Sequence, residues 1–139
     1  MNSKQLLLAF LILGIIGNVY DILFHGVMLG PTYATIPSMA DNSSMNPLWF
    51  ILFDFIGAFL FVWVFSRMES SLEKNPMGGV MYGFLVGILV TIPGMLYEAV
   101  MYKGFPLWLS FAWIAGFIIK FVIYGAVLGM LVRPKKATA

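Results

Sequence analysis

Five ionisable side chains fall inside stretches of sequence apolar enough to cross a bilayer: Asp21, His25, Asp54, Glu98 and Lys120. A charge at the bilayer centre costs roughly 2.5–3.5 kcal/mol on insertion scales, so a chain keeps several only where they face each other or water. Three uses of such a set follow from its chemistry. Carboxylates with a lysine can make a buried ion-pair and hydrogen-bond network that fixes helix packing. The same groups can bind or pass a proton, a cation or a small polar solute. Asp21 and His25, at i and i+4, can touch one ligand, and Asp54 and Glu98 would complete an oxygen and nitrogen shell suited to a divalent metal. Acid–base or metal chemistry by a membrane enzyme is the third use. No H-E-x-x-H, nucleophile elbow or phosphate-binding loop accompanies it.

The elements that must position these groups are set by composition. The chain has 139 residues, 61% hydrophobic and 10% charged, whereas a soluble domain carries about 25% charged residues. Apolar runs long enough for transmembrane helices lie at about 5–29, 48–66, 79–102 and 107–132. The expectation is an all-α, polytopic four-helix transmembrane bundle forming a single domain over 1–139. Strand-like alternation, the mark of a β-barrel, is absent from the spans. There is no cysteine, which excludes disulfides, thiolate metal sites and thiol catalysis. Lys4 before an apolar run and Ser38-Met39-Ala40 resemble parts of a signal peptide, but Asn18, Tyr20, Asp21 and His25 intervene, and an uncleaved first span is expected.

Orientation follows from the basic residues. Lys4, Arg67, Lys74, Arg133, Lys135 and Lys136 share one side and only Lys103 falls on the other, which places both termini in the cytoplasm. The small positive charge is therefore a topology signal and not a sign of nucleic-acid binding. The connection from Gly30 to Asn46 and the turn from Tyr102 to Pro106 then face outward. Asn42-Ser43-Ser44 in the longer one fits a glycosylation sequon.

Two short patterns recur in the same order. Gly17-Asn18-Val19-Tyr20-Asp21 matches Gly94-Met95-Leu96-Tyr97-Glu98, and Pro47-Leu48-Trp49 with Gly57 matches Pro106-Leu107-Trp108 with Gly116 at the same spacing. This pattern predicts two tandem helical hairpins, a parallel repeat about an axis along the membrane normal. Its chemistry is asymmetric, since Asp54 aligns with Trp113 and Lys120 with Phe61.

Helical spacing puts the polar groups on glycine-lined stripes. These are Gly14, Asn18, Asp21 and His25; Asp54 and Gly57; Gly83, Gly87, Thr91, Gly94 and Glu98; and Trp113, Gly116, Lys120 and Tyr124. Small residues let transmembrane helices approach closely, so these stripes should face the bundle interior. At 1.5 Å per residue, Asp21, His25, Asp54 and Glu98 lie roughly 6–13 Å from the outer ends of their spans, with Tyr20, Tyr97 and Tyr102 nearby. Lys120 is deeper, about 20 Å down, and its stem can reach toward Asp21 or Asp54. Fully ionised, the cluster is negative, which calls for a proton or a cation.

Trp49, Trp63, Trp108 and the tyrosines near span ends suit interfacial belts. Trp113 is expected to wall the site or to make a cation–π contact with Lys120. The outer connection, with Pro31, Pro37, Asp41 and Asn42, is placed to cap it. Lipid is the first partner, and the apolar helix surfaces also suit a second copy or another membrane subunit.

The run from Asn18 to Tyr33 (Asp21, His25-Gly26-Val27, Leu29, Tyr33) and Asn46-Pro47-Leu48-Trp49 resembles small uncharacterised four-helix bacterial membrane proteins. The resemblance implies a four-helix fold and a bacterial inner-membrane setting, and it carries no activity. The favoured expectation is a polar site in the outer half of the bilayer, built from Asn18, Tyr20, Asp21, His25, Asp54, Tyr97, Glu98, Trp113, Lys120 and Tyr124, that binds or translocates a proton, cation or small polar solute. The alternative is a structural or accessory subunit whose charges only hold helices together. No cofactor is predicted, and a divalent metal is the one that Asp21, His25, Asp54 and Glu98 could take.

Overall fold

The computed structural model describes residues 1–40, 46–72, 75–101 and 105–132. Asp41, the Asn42 sequon, Lys74, Tyr102, Lys103, Arg133, Lys135 and Lys136 lie outside the described residues.

Three of the four long helices start on an asparagine side chain that accepts from an early N–H group. Helix α1 (Ser3–Asp21) opens on a capping box: Asn2 Oδ1 accepts from the Gln5 N–H at 2.9 Å, and Gln5 Oε1 accepts from the Asn2 N–H at 3.0 Å. It continues into a π-helical segment, Ile22–Met28. Two single-turn helices follow, α2 (Gly30–Tyr33) and α3 (Pro37–Ala40). Helix α4 (Pro47–Met68) has Pro47 in its first turn, and the Asn46 side chain accepts from the Leu48 N–H at 3.0 Å. It ends in a 3₁₀ turn, Glu69–Ser71. Helix α5 (Pro76–Met101) repeats the Asn-Pro start, with Asn75 Oδ1 accepting from the Gly78 N–H at 2.8 Å. Helix α6 (Leu107–Leu131) follows Pro106.

The segments Ser3–Met28, Pro47–Ser71, Pro76–Met101 and Leu107–Leu131 are each long and apolar enough to cross a membrane. The chain is thus a multi-pass, all-α, four-helix membrane protein, and its exposed Leu7, Ile15, Phe59, Leu85 and Ile119 are surface for lipid.

The closest packing is between α5 and α6, which run antiparallel. A Cβ added to Gly79 would stand 2.1 Å from the Gly125 carbonyl oxygen, and one on Gly83 2.1 Å from that of Phe121. The small-residue stripes therefore let these two backbones touch. Helix α1 packs on α4 through Phe10 against Phe55 and Phe59, with Phe55 also filling the space beside Gly14. Helix α1 also meets α6. Between α4 and α5 the contact is aromatic: Phe61 and Phe65 pack on Tyr82, whose hydroxyl donates to the Phe61 carbonyl at 2.9 Å. With Ala9, Leu13, Ala58, Val62, Tyr124 and Leu128 these rings form the buried core.

The expected inward stripe of α5 fails toward the end of the bundle that carries α2 and α3, and on α4 Gly57 faces outward although Asp54 is turned inward. A Cβ on Gly57 or Gly94 would meet nothing within 4 Å. The close seam of α5 ends near Thr91, whose hydroxyl donates to the Gly87 carbonyl at 2.7 Å. Beyond it Pro93 interrupts the helical hydrogen bonding, and Tyr97, Val100 and Met101 are exposed. A small residue permits close approach but does not by itself bring a neighbour.

Candidate functional site: an ion triad beside a histidine–tyrosine–tryptophan chain

Lys120 draws three helices together. From the middle of α6 its Nζ donates to Asp21 Oδ2 at 2.7 Å and to Asp54 Oδ1 at 2.6 Å. The side chains of Lys120, Asp54 and Asp21 are 7%, 10% and 27% exposed, so Asp21 is the accessible member. The reach of Lys120 toward Asp21 or Asp54 is thus realised with both acids at once. Phe117 and Tyr124 present their rings 5.8 and 5.9 Å from Nζ, distances at which an aromatic face attracts an ammonium. The cation–π partners are these two and not Trp113.

The position of Lys120 depends on glycine. Its Cε and the Tyr124 hydroxyl occupy the space beside Gly17, where a Cβ would lie 3.3 and 2.0 Å from them. One turn later Asp21 continues the same face of α1. Both carboxylates ionised against one ammonium leave the triad one negative charge in excess. Two buried oxygens within it, Asp21 Oδ1 and the Tyr124 hydroxyl, have no hydrogen-bond partner among the described residues.

A second hydrogen-bonded group adjoins the triad. The π-helical segment carries i to i+5 bonding, as from the Leu29 N–H to the Phe24 carbonyl at 3.0 Å. It sets Phe24 against Gly116 and turns His25 toward α2 and α6. His25 Nδ1 lies 2.6 Å from the Tyr33 hydroxyl, and the Trp113 indole N–H donates to that same hydroxyl at 2.7 Å. Tyr33 has one hydrogen to give, and Trp113 can only donate. With His25 neutral and protonated on Nε2, Tyr33 donates to Nδ1; in the other tautomer Nδ1–H donates to the Tyr33 oxygen. Phe117 joins the two groups: its ring centroid is 5.6 Å from that of His25 and 5.8 Å from Lys120 Nζ. Burial pushes the Tyr33 hydroxyl up to about 12, with the Trp113 bond acting in the opposite direction.

The remaining expected residues divide. Tyr20 belongs to the interior, its hydroxyl donating to the Gly116 carbonyl at 2.7 Å. Asn18 lies on the expected stripe, but its amide returns to the Gly14 carbonyl at 2.8 Å. Tyr97 is exposed, and Glu98 is half-buried with no ion pair or hydrogen bond among the described residues. The pair that mirrors Tyr20 and Asp21 in sequence therefore stands apart from the triad. Among the described residues no three of His, Asp and Glu gather where a metal ion could be held. Lys120 already places a positive charge between Asp21 and Asp54, which opposes a divalent ion there.

Tyr33, Phe24 and Phe117 are absent from the expected site. Tyr33 stands in a connection, where helical spacing says nothing about contacts, and no feature of Ile22–Met28 beyond Gly26 signals a π turn. No protein-family model, curated protein or solved structure matches this chain.

Proposed function

We propose that this chain is a multi-pass inner-membrane protein, with its termini in the cytoplasm, whose Asp21–Lys120–Asp54 triad binds or passes a proton or small monovalent cation reaching it from the outer side. The observation that supports this reading is the stoichiometry: two carboxylates share one lysine, and the more exposed one keeps a buried oxygen unpartnered. In a medium of low dielectric an excess charge is costly, and one added positive charge makes the group neutral. The His25–Tyr33–Trp113 chain lies on the side of the triad that carries α2, the side this reading takes as the outer one.

A structural or accessory-subunit role is the second reading, favoured by a specific observation. Each aspartate is bonded directly to Lys120, which ties α1, α4 and α6 together. Purified protein in sealed vesicles holding a pH-sensitive dye separates the two. The first reading expects proton movement above that of protein-free vesicles, lost in D21N and D54N. Wild-type vesicles no leakier than empty ones, together with no protonated-carboxyl infrared band that D21N or D54N removes, would leave the structural role.

A further inference from the structure

The two unpartnered oxygens say more than a charge count does. Asp21 Oδ1 and the Tyr124 hydroxyl are both buried, and Tyr124 is only 2% exposed. They meet the same face of α1, since the Tyr124 oxygen lies against Gly17, one turn before Asp21. Buried oxygens without a hydrogen-bond partner are rare in folded proteins, and each calls for one: the Asp21 carboxylate oxygen for a donor, the Tyr124 hydroxyl for a donor or an acceptor. A cationic donor would also offset the one negative charge in excess that the triad carries with both carboxylates ionised.

The surroundings select among cations. Hard metal ions such as calcium and magnesium take about six or more oxygen ligands, whereas among the described residues the buried unpartnered oxygens at the triad are two, and an ammonium already stands between the carboxylates. An ammonium group instead uses a few directed N–H bonds and is attracted to aromatic faces. Phe117 and Tyr124 supply such faces, and the end group of Lys120 is itself an alkylammonium held by these carboxylates. Asp21, at 27% exposed, is the triad member nearest the surface, while its Oδ1 is itself buried, so a cation held there is enclosed by the helices.

We infer that the triad binds a second ammonium-type cation, ammonium itself or a short primary amine, at Asp21 Oδ1, with the Tyr124 hydroxyl as its other oxygen and Lys120 retained on Asp54. This rests on the reading of the triad as a cation or proton site and names the class of its ligand. With neither a proton nor an added cation the triad keeps its excess charge, and with the cation every buried oxygen of the group has a donor.

Calorimetry on the detergent-purified full chain tests it, titrating methylammonium, sodium, potassium and choline chlorides at matched pH and ionic strength. Saturable methylammonium heat is expected, with none for choline, which has no N–H. D21N should weaken binding by about tenfold or more and Y124F by several-fold, the loss expected for a charged and a neutral hydrogen bond. S66A, at the far end of α4, should bind as the wild type does. Equal responses to sodium, potassium and methylammonium would overturn the inference, as would binding unchanged in Y124F. Circular dichroism checks each variant's fold; if D21N does not fold, Y124F decides. Proton movement in vesicles without methylammonium binding would sink this inference alone. Methylammonium binding without proton movement would support it and remove proton translocation.

Discussion

Lys120 Nζ stands 2.7 Å from Asp21 Oδ2, joining the middle of α6 to the end of α1, and the same nitrogen holds Asp54 on α4. The three members of this group are not equivalent. Remove either acid and a balanced lysine–aspartate pair remains. Remove the lysine and two carboxylates face each other in an apolar interior.

That asymmetry gives the first prediction. K120M should be the most destabilising single change, by about 3–5 kcal/mol, the cost of stripping the partner from a buried charge. D21N should cost clearly less, and the triple variant K120M/D21N/D54N should recover much of the K120M loss. Thermal unfolding in detergent, followed by tryptophan fluorescence, measures the order. A K120M protein as stable as wild type would show that the ammonium does not hold the bundle together.

The α5–α6 seam should be intolerant of a single methyl group. In G83A the new carbon would meet the Phe121 carbonyl at 2.1 Å, and in G79A that of Gly125 at the same distance. Backbone cannot step aside as a flexible side chain can, so a loss of at least about 1–3 kcal/mol is expected in each. G57A and G94A enter open space and should be neutral, or stabilising by up to about 1 kcal/mol through helix propensity. Unfolding midpoints of the four variants check the contrast, and a G83A protein as stable as G94A would refute it.

Tyr82 joins α5 to α4 by one hydrogen bond at 2.9 Å and by ring contacts with Phe61 and Phe65. Y82F keeps the ring and should cost about 0.5–1.5 kcal/mol. Y82A also empties a buried volume and should cost about 3–5 kcal/mol. The same unfolding assay reads both, and equal losses would mean that the rings contribute little.

How much of this was legible beforehand differs from residue to residue. The four spans follow from apolar run length, because the bilayer sets helix length directly. The glycine stripe of α5 was legible as far as Thr91, and the lysine's reach to the acids followed from rise per residue. Glu98 shows where periodicity stops. It shares a helix face with Gly83 and Gly87 and a motif with Asp21, yet the seam ends before it. Local sequence can copy a motif, but the partner comes from packing: Gly17 has Tyr124 and Lys120 beside it, and Gly94 has open space. The π-helical segment escaped for a related reason. Nothing in Ile22–Met28 beyond Gly26 prefers it locally, and Phe24 on Gly116 together with His25 on Tyr33 accompany it only in the folded bundle.

The Tyr33 hydroxyl, receiving the Trp113 N–H at 2.7 Å beside His25, carries a prediction at high pH. Burial raises it from 10.0 to about 12, the Trp113 bond pulls it down, and the charge of Asp21 adds to the rise. Below pH 10 the hydroxyl is protonated in folded and unfolded chains alike, and its contribution to stability is complete. Between pH 10 and 12 the unfolded chain gives up this proton first, so stability falls as pH rises through that window. Y33F has no such proton and should lose less stability over the same window. The difference in tyrosinate absorbance between wild type and Y33F isolates one of the six tyrosines and should titrate near pH 12. A difference spectrum that titrates near pH 10 would mean that Tyr33 is not enclosed between His25 and Trp113, and the hydrogen-bond chain of these three residues would fall with it.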